Sequence, residues 1–166
     1  MNFSPVFLMN FKNTVERILH VKGNYNGGIL EMAVVLDHNL SRETMQEIVP
    51  QLFRTLKMHS EVFRNVRLNM VQWQSNEEIS NQVSPMSMAG LSSYYEEYEC
   101  KAVKKDWFKL VQYLKMFQAR AKLIILITDG KNEEVSAEQL KREMQPFLDK
   151  KLMQVIVGEE IKIQYR

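Results

Sequence analysis

Apolar and polar residues change period several times along the chain, and each change marks an element. Met32-Ala33-Val34-Val35-Leu36 is continuously apolar, which suits a strand covered on both faces. Met45, Ile48, Val49, Leu52, Phe53 and Leu56 then fall on one helical stripe, with Pro50 off that stripe and expected to kink or break the helix. Val66 to Gln74 alternates as a strand does, and Ile79 to Val83 reads as its hairpin partner. Trp107, Leu110, Val111, Leu114 and Phe117 recur at helical spacing within a segment expected to be helical from Tyr94 to Phe117. Leu123 to Ile127 is a second fully apolar strand, and Leu152 to Val157 a third, with Ile161-Lys162-Ile163 as a frayed edge. Between them, Ser136 and Gln139 form a capping box ahead of a helix through Leu140, Met144, Phe147 and Leu148.

The N-terminal part is harder to read. Asn13 or Thr14 could cap a short helix through Val15, Ile18 and Leu19. Gly23-Asn24-Tyr25-Asn26-Gly27-Gly28 is a cluster of turn formers. It divides an N-terminal extension, 1–28, from a main domain, 29–166. Strands separated by helices imply an α/β fold with a mostly parallel sheet. Ligands in such sheets lie beyond the carboxyl ends of the strands, so function is sought there.

Composition narrows the field without naming an activity. The 166 residues carry 22 Lys+Arg against 20 Asp+Glu, a net charge of +2, which argues against nucleic acid as the main partner. The longest apolar run is far short of the roughly 20 residues that a bilayer crossing needs. Val6-Phe7-Leu8-Met9 has no basic residue before it and is too short for a secretory signal, and Cys100 has no second cysteine to pair with. Both points favour a reducing, cytoplasmic setting.

At the strand ends stand Asp37, Asn39 and Ser41, three short oxygen-bearing side chains at alternate positions, and Asp129 in Ile127-Thr128-Asp129-Gly130. Asp, Asn and Ser are also ordinary turn and cap residues. If the two strands are neighbours, however, two carboxylates meet and need a cation or a shared proton. Magnesium, which takes six oxygen donors and keeps some water, suits such a loop. A zinc site lacks its Cys/His cluster, and neither a phosphate-cradling Gly-rich loop nor a Gly-x-Ser-x-Gly elbow occurs.

The Asp37-x-Asn39-x-Ser41 loop after Ala33-Val34-Val35-Leu36, with Ile124-Ile125-Leu126-Ile127-Thr128-Asp129-Gly130, resembles a von Willebrand factor A (VWA) domain. Residues 61–73 are similar to the second-strand region of bacterial intracellular VWA proteins of the tellurium-resistance-associated type. The resemblance implies a three-layer, Rossmann-like fold with helices on both faces of the sheet. Because the chain stops at Arg166, it leaves little room for that fold's last helix. It also implies a non-catalytic protein-binding role, in which a partner's carboxylate completes a metal-ion-dependent adhesion site. Carried over by position, Asp37, Ser41 and Asp129 match the site's ligands in type; Asn39 replaces a serine, and Ser92 is the substitute for a missing threonine.

Around this site, His38, Met86, Met88, Tyr94 and Tyr95 are the candidate partner contacts. Lys101, Lys104 and Lys105 read as a solvated basic face, and Cys100 as a small, partly buried apolar residue. If helical, Tyr98 shares one face with Tyr94, most simply as packing. Two alternatives remain open. One is a magnesium-dependent phosphohydrolase of the haloacid-dehalogenase kind with Asp37 as nucleophile, although Asn39 stands where that family has a second aspartate. The other is a degenerate VWA scaffold whose ligand positions serve only as turns and caps.

Overall fold

A computed structural model describes residues 3–19, 30–59, 66–85, 98–115, 121–131, 142, 152–158 and 161–165. They form helices α1 (Pro5–Leu19), α2 (Arg42–His59) and α3 (Trp107–Leu114). The strands are β1 (Leu30–Asp37), β2 (Val66–Trp73), β3 (Ile79–Pro85), β4 (Ala121–Thr128), β5 (Leu152–Val157) and β6 (Ile161–Tyr165). The chain is α/β, with one six-stranded sheet in the order β3-β2-β1-β4-β5-β6. β1 is parallel to β2 and β4, and β4 is parallel to β5, whereas β3 and β6 are antiparallel edges.

Alternation along the central strands feeds two separate apolar clusters. Met32, Val34 and Leu36 of β1 join Leu68, Met70, Leu123, Ile125 and Ile127 in one, together with residues of α1 and α2. Ala33 and Val35 join Val71, Trp73, Ile124 and Leu126 in the other, packed with Leu110, Val111 and Leu114 of α3. With apolar partners on both faces, the middles of β1 and β4 need unbroken hydrophobic runs, and Met32 to Leu36 and Leu123 to Ile127 supply them.

The helices depart from the sequence expectations in instructive ways. α1 begins at Pro5, well before Asn13 and Thr14, because Ser4 caps it by accepting from the Phe7 amide at 3.1 Å and Pro5 needs no partner in the first turn. Phe3, Phe11 and Val15 enter the first cluster, and the Phe3 amide donates to Gln51 Oε1 at 3.1 Å, tying this end to α2. α2 buries the predicted Met45, Ile48, Val49, Leu52 and Phe53 and, of the kink or break expected at Pro50, shows no break. Beside the proline, the Gln51 side-chain amide donates to the Glu47 carbonyl at 2.7 Å, supporting the turn that proline weakens. α3 is much shorter than the segment 94–117: Asp106 caps it by accepting from the Phe108 amide at 2.8 Å, and residues 98–105 are not helical. The glycine cluster and the Ser136–Gln139 capping box lie outside the described residues; of the helix expected after that box, Arg142 alone is described, as helical and exposed. No described helix is long and apolar enough to cross a membrane.

From β1 the chain builds outward first through β2 and later, on the other side, through β4 and β5. The order reverses between β1 and β4, and a topological switch point of this kind opens a crevice at the carboxyl ends of those two strands. Asp37 ends β1 and Thr128 ends β4, so the candidate residues stand at that crevice. Because α1 shares its core with α2 and β4, Phe11→Ala is expected to cost about 3–5 kcal/mol in urea denaturation, and Val6→Ser, on the exposed side of α1, under about 0.5 kcal/mol.

Candidate functional site

The register sets a row of three side chains across the strand ends. Asp37 pairs with Trp73, and the Leu36–Ile127 pairing places Asp37 beside Thr128. By alternation all three project toward the cluster that contains α3. Lys105, just ahead of α3, meets this row. Its Nζ lies 2.9 Å from Asp37 Oδ1, 2.5 Å from Asn39 Oδ1 and 3.4 Å from the Lys101 carbonyl, and 5.7 Å from the centre of the Trp73 ring. Asp37 and Lys105 are both fully buried. The second carboxylate oxygen accepts from Thr128 Oγ1 at 2.6 Å, and the Asn39 amide donates to Oδ1 at 3.0 Å. Taking two charges out of water is costly, so a pair at this depth survives only with close geometry and further hydrogen bonds, both of which it has.

Thr128 is a two-way joint. Its hydroxyl donates to Asp37 and accepts from the Gly130 amide at 3.1 Å, fixing the turn that leaves β4. Gly130 has φ +75°, and a Cβ there would stand 3.1 Å from Ile156 Cγ2, so glycine is demanded both by conformation and by space.

Residues 98–106 form a strap laid over the strand ends, held at successive points. The Tyr98 hydroxyl donates to the Leu40 carbonyl at 2.6 Å, with the Asp37 carbonyl at 3.0 Å, and burial followed by the Asp37 charge pushes its pKa up. The Lys101 amide donates to the His38 carbonyl at 2.7 Å. His38 Nδ1 faces the Glu99 carbonyl at 2.7 Å and Nε2 faces Gln72 Oε1 at 2.6 Å, with the ring 4.2 Å from that of Tyr98. Burial lowers the His38 pKa and outweighs these two hydrogen bonds, which favour the charged ring; the Lys105 charge lowers it further. At the outer edge Lys101 pairs with Glu78 at 2.9 Å, and the Asp106 amide donates to Asn76 Oδ1 at 2.8 Å.

The structure brings Asp37 and Asn39 together on one ammonium and turns the other described candidates to local work. Ser41 Oγ accepts from the Thr44 amide at 3.1 Å and donates to Thr44 Oγ1 at 2.8 Å, capping α2. Asp129, beside Thr128, accepts from the Lys131 amide at 3.0 Å in an Asx turn. His38 lies in the expected loop, but its ring is buried. Ser92, Met86, Met88, Tyr94 and Tyr95 lie outside the described residues. Among the described residues, no group of three or more His, Cys, Asp and Glu side chains could hold a metal ion. With Asp37 and Asn39 bonded to Lys105, Ser41 to the Thr44 amide and Asp129 to the Lys131 amide, these donors do not fit the open oxygen set magnesium requires.

Three expectations need correction. Lys105 is not part of a solvated face; it is fully buried because Asp37 supplies its counter-charge. Cys100 is exposed rather than partly buried, since the strap turns it outward, with Sγ 3.6 Å from the Asn39 carbonyl. Tyr98 is buried as expected of packing, but it sits in the non-helical strap and anchors it to the Asp37 loop. The roles of Lys105, Thr128, Gln72 and Trp73 were not read from sequence. For Thr128 a signal existed, a hydroxyl at the end of an otherwise apolar strand; for Lys105 none did, because its neighbours Lys101 and Lys104 are ordinary surface lysines. The chain matches no protein-family model, and no curated protein matches it at a significant level.

Two outcomes follow from this geometry. Lys105→Met, which strands the Asp37 charge, is expected to cost about 3–5 kcal/mol in denaturant unfolding, and combining it with Asp37→Asn to cost less than the sum of the two single changes. Because the folded state holds His38 below its ordinary value of 6.5, the stability it contributes is complete above 6.5 and is lost as pH falls toward the depressed value. Melting at stepped pH should show a steeper acid-side loss for wild type than for His38→Gln, by about 1.4 kcal/mol per pH unit between the two pKa values.

Proposed function

We propose that this chain is a non-catalytic protein-interaction module of the VWA-like kind, with a three-layer, Rossmann-like arrangement, that docks a protein partner on the face formed by its strand ends and the strap above them. The observation that carries this reading is the closed Asp37–Lys105 pair at the switch point. Where an enzyme of this architecture would keep an open reaction centre, the polar groups here are buried and hydrogen-bonded to one another. The hydrolase alternative gains no support from this arrangement, since a nucleophilic carboxylate needs an open line of approach and Asp37 has no exposed surface.

Outside the pair, the strap offers a contact surface. Ala102, Val103 and Lys104 are exposed, Val103 at 45%, and Lys131 is exposed in the neighbouring turn. A partner's acidic side chain would meet Lys104 or Lys131, because Lys105 is out of reach. The setting goes with a reducing bacterial cytoplasm, in which an exposed thiol such as Cys100 persists.

The test compares the proteins retained by the wild-type chain with those retained by Val103→Asp, Lys104→Glu and, on a distant helix, Val6→Asp. A partner lost by about tenfold or more with either strap variant and kept with Val6→Asp is the expected result. Retention unchanged by both strap variants, or turnover of phosphomonoesters that Asp37→Asn abolishes, would overturn the reading.

A further inference from the structure

The Lys105 head group is placed as a bound ion would be. An ammonium has three protons, and three acceptors surround this one: Asp37 Oδ1, Asn39 Oδ1 and the Lys101 carbonyl. Trp73 adds its ring at 5.7 Å, within the range over which an aromatic face attracts a cation. Of the three loop residues whose spacing suggests shared coordination, Asp37 and Asn39 converge, on nitrogen rather than on a metal, while Ser41 turns away to cap α2. Asn39 fits this occupant well: its amide oxygen accepts from the ammonium without adding a second negative charge beside Asp37, so one positive charge balances one carboxylate.

We infer that the Lys105 ammonium is the resident cation of the strand-end site, held where a divalent ion would otherwise be coordinated, so that this face needs no divalent metal. A metal entering with Lys105 in place would meet a like charge at hydrogen-bond distance from the same oxygens. The fully buried lysine has no outward path that leaves the strap intact, since residues on either side of it are tied down: Lys101 to His38 and Glu78, and Asp106 to Asn76 and the start of α3. This inference concerns the chain alone and stands whether or not a partner docks on the face.

The test titrates the purified chain with Mn2+, reading free ion by electron paramagnetic resonance, and melts it with Mg2+ against an ionic-strength-matched control. An ion that binds only the folded state must raise the melting temperature. For wild type, no shift beyond the control and no Mn2+ uptake with a Kd below about 1 mM is expected. Uptake of one Mn2+ per chain that Asn39→Ala weakens by about tenfold or more would overturn the inference. Uptake that Asn39→Ala leaves unchanged lies elsewhere and upholds it. Lys105→Gln, which keeps a polar head and removes the charge, is expected to gain Mn2+ uptake; a folded Lys105→Gln that gains none would show that the ammonium holds no ion's place and overturn the inference. Should that variant fail to fold, the wild-type and Asn39→Ala titrations decide.

Discussion

A carboxylate buried at the end of a central strand must be neutralised, and most of what surrounds Asp37 follows from how this chain does so. A bound ion would have placed few demands on distant sequence. A lysine from residue 105 places many, because its backbone must pass over the strand ends at the reach of one side chain. The strap therefore crosses β1 and β2 before the chain can turn into α3, and α3 cannot begin until Asp106. Buried pairs of this kind add little net stability compared with apolar packing, yet breaking one leaves a stranded charge. Such a pair acts chiefly as a locator, fixing which loop lies on which strand end.

That locator works only because the sheet first brings its parts into line. Parallel pairing of β1 with β2 and with β4 sets Trp73, Asp37 and Thr128 abreast, on the same face, at the point where the strand order reverses. Thr128 then carries the constraint onward to the turn at Gly130, and Tyr98 and His38 carry it to the loop between β1 and α2. Carboxylate, ammonium, hydroxyl, phenol and imidazole form one connected group, and Ala102, Val103 and Lys104 of the strap face outward beside it.

Much of the fold was legible because its signals are local. The unbroken apolar runs of β1 and β4, the alternation of β2 and the stripe from Met45 to Phe53 follow directly from what each element must bury. The α1 boundary was missed although Phe3, Phe7, Phe11 and Val15 recur every fourth residue, because the cap at Ser4 lies ahead of a proline and the more familiar cap residues Asn13 and Thr14 lie inside the helix. Helical spacing after Trp107 was read correctly, but extending it back to Tyr94 failed, since residues 98–105 make their bonds to the Asp37 loop and not to one another.

Sequence alone determined that the chain would form an α/β sheet and that short polar residues would gather where its central strands end, since strand and turn chemistry are properties of neighbouring residues. It also marked Asp37, Asn39 and Ser41 as sharing a target, which Asp37 and Asn39 do. What occupies that target was decided by tertiary structure. Lys105 lies 68 positions beyond Asp37, and nothing in its immediate neighbours distinguishes it from a solvated lysine. Only the folded path of the strap removes water from both charges at once, and only then does an ordinary surface residue become the ion at the centre of the site.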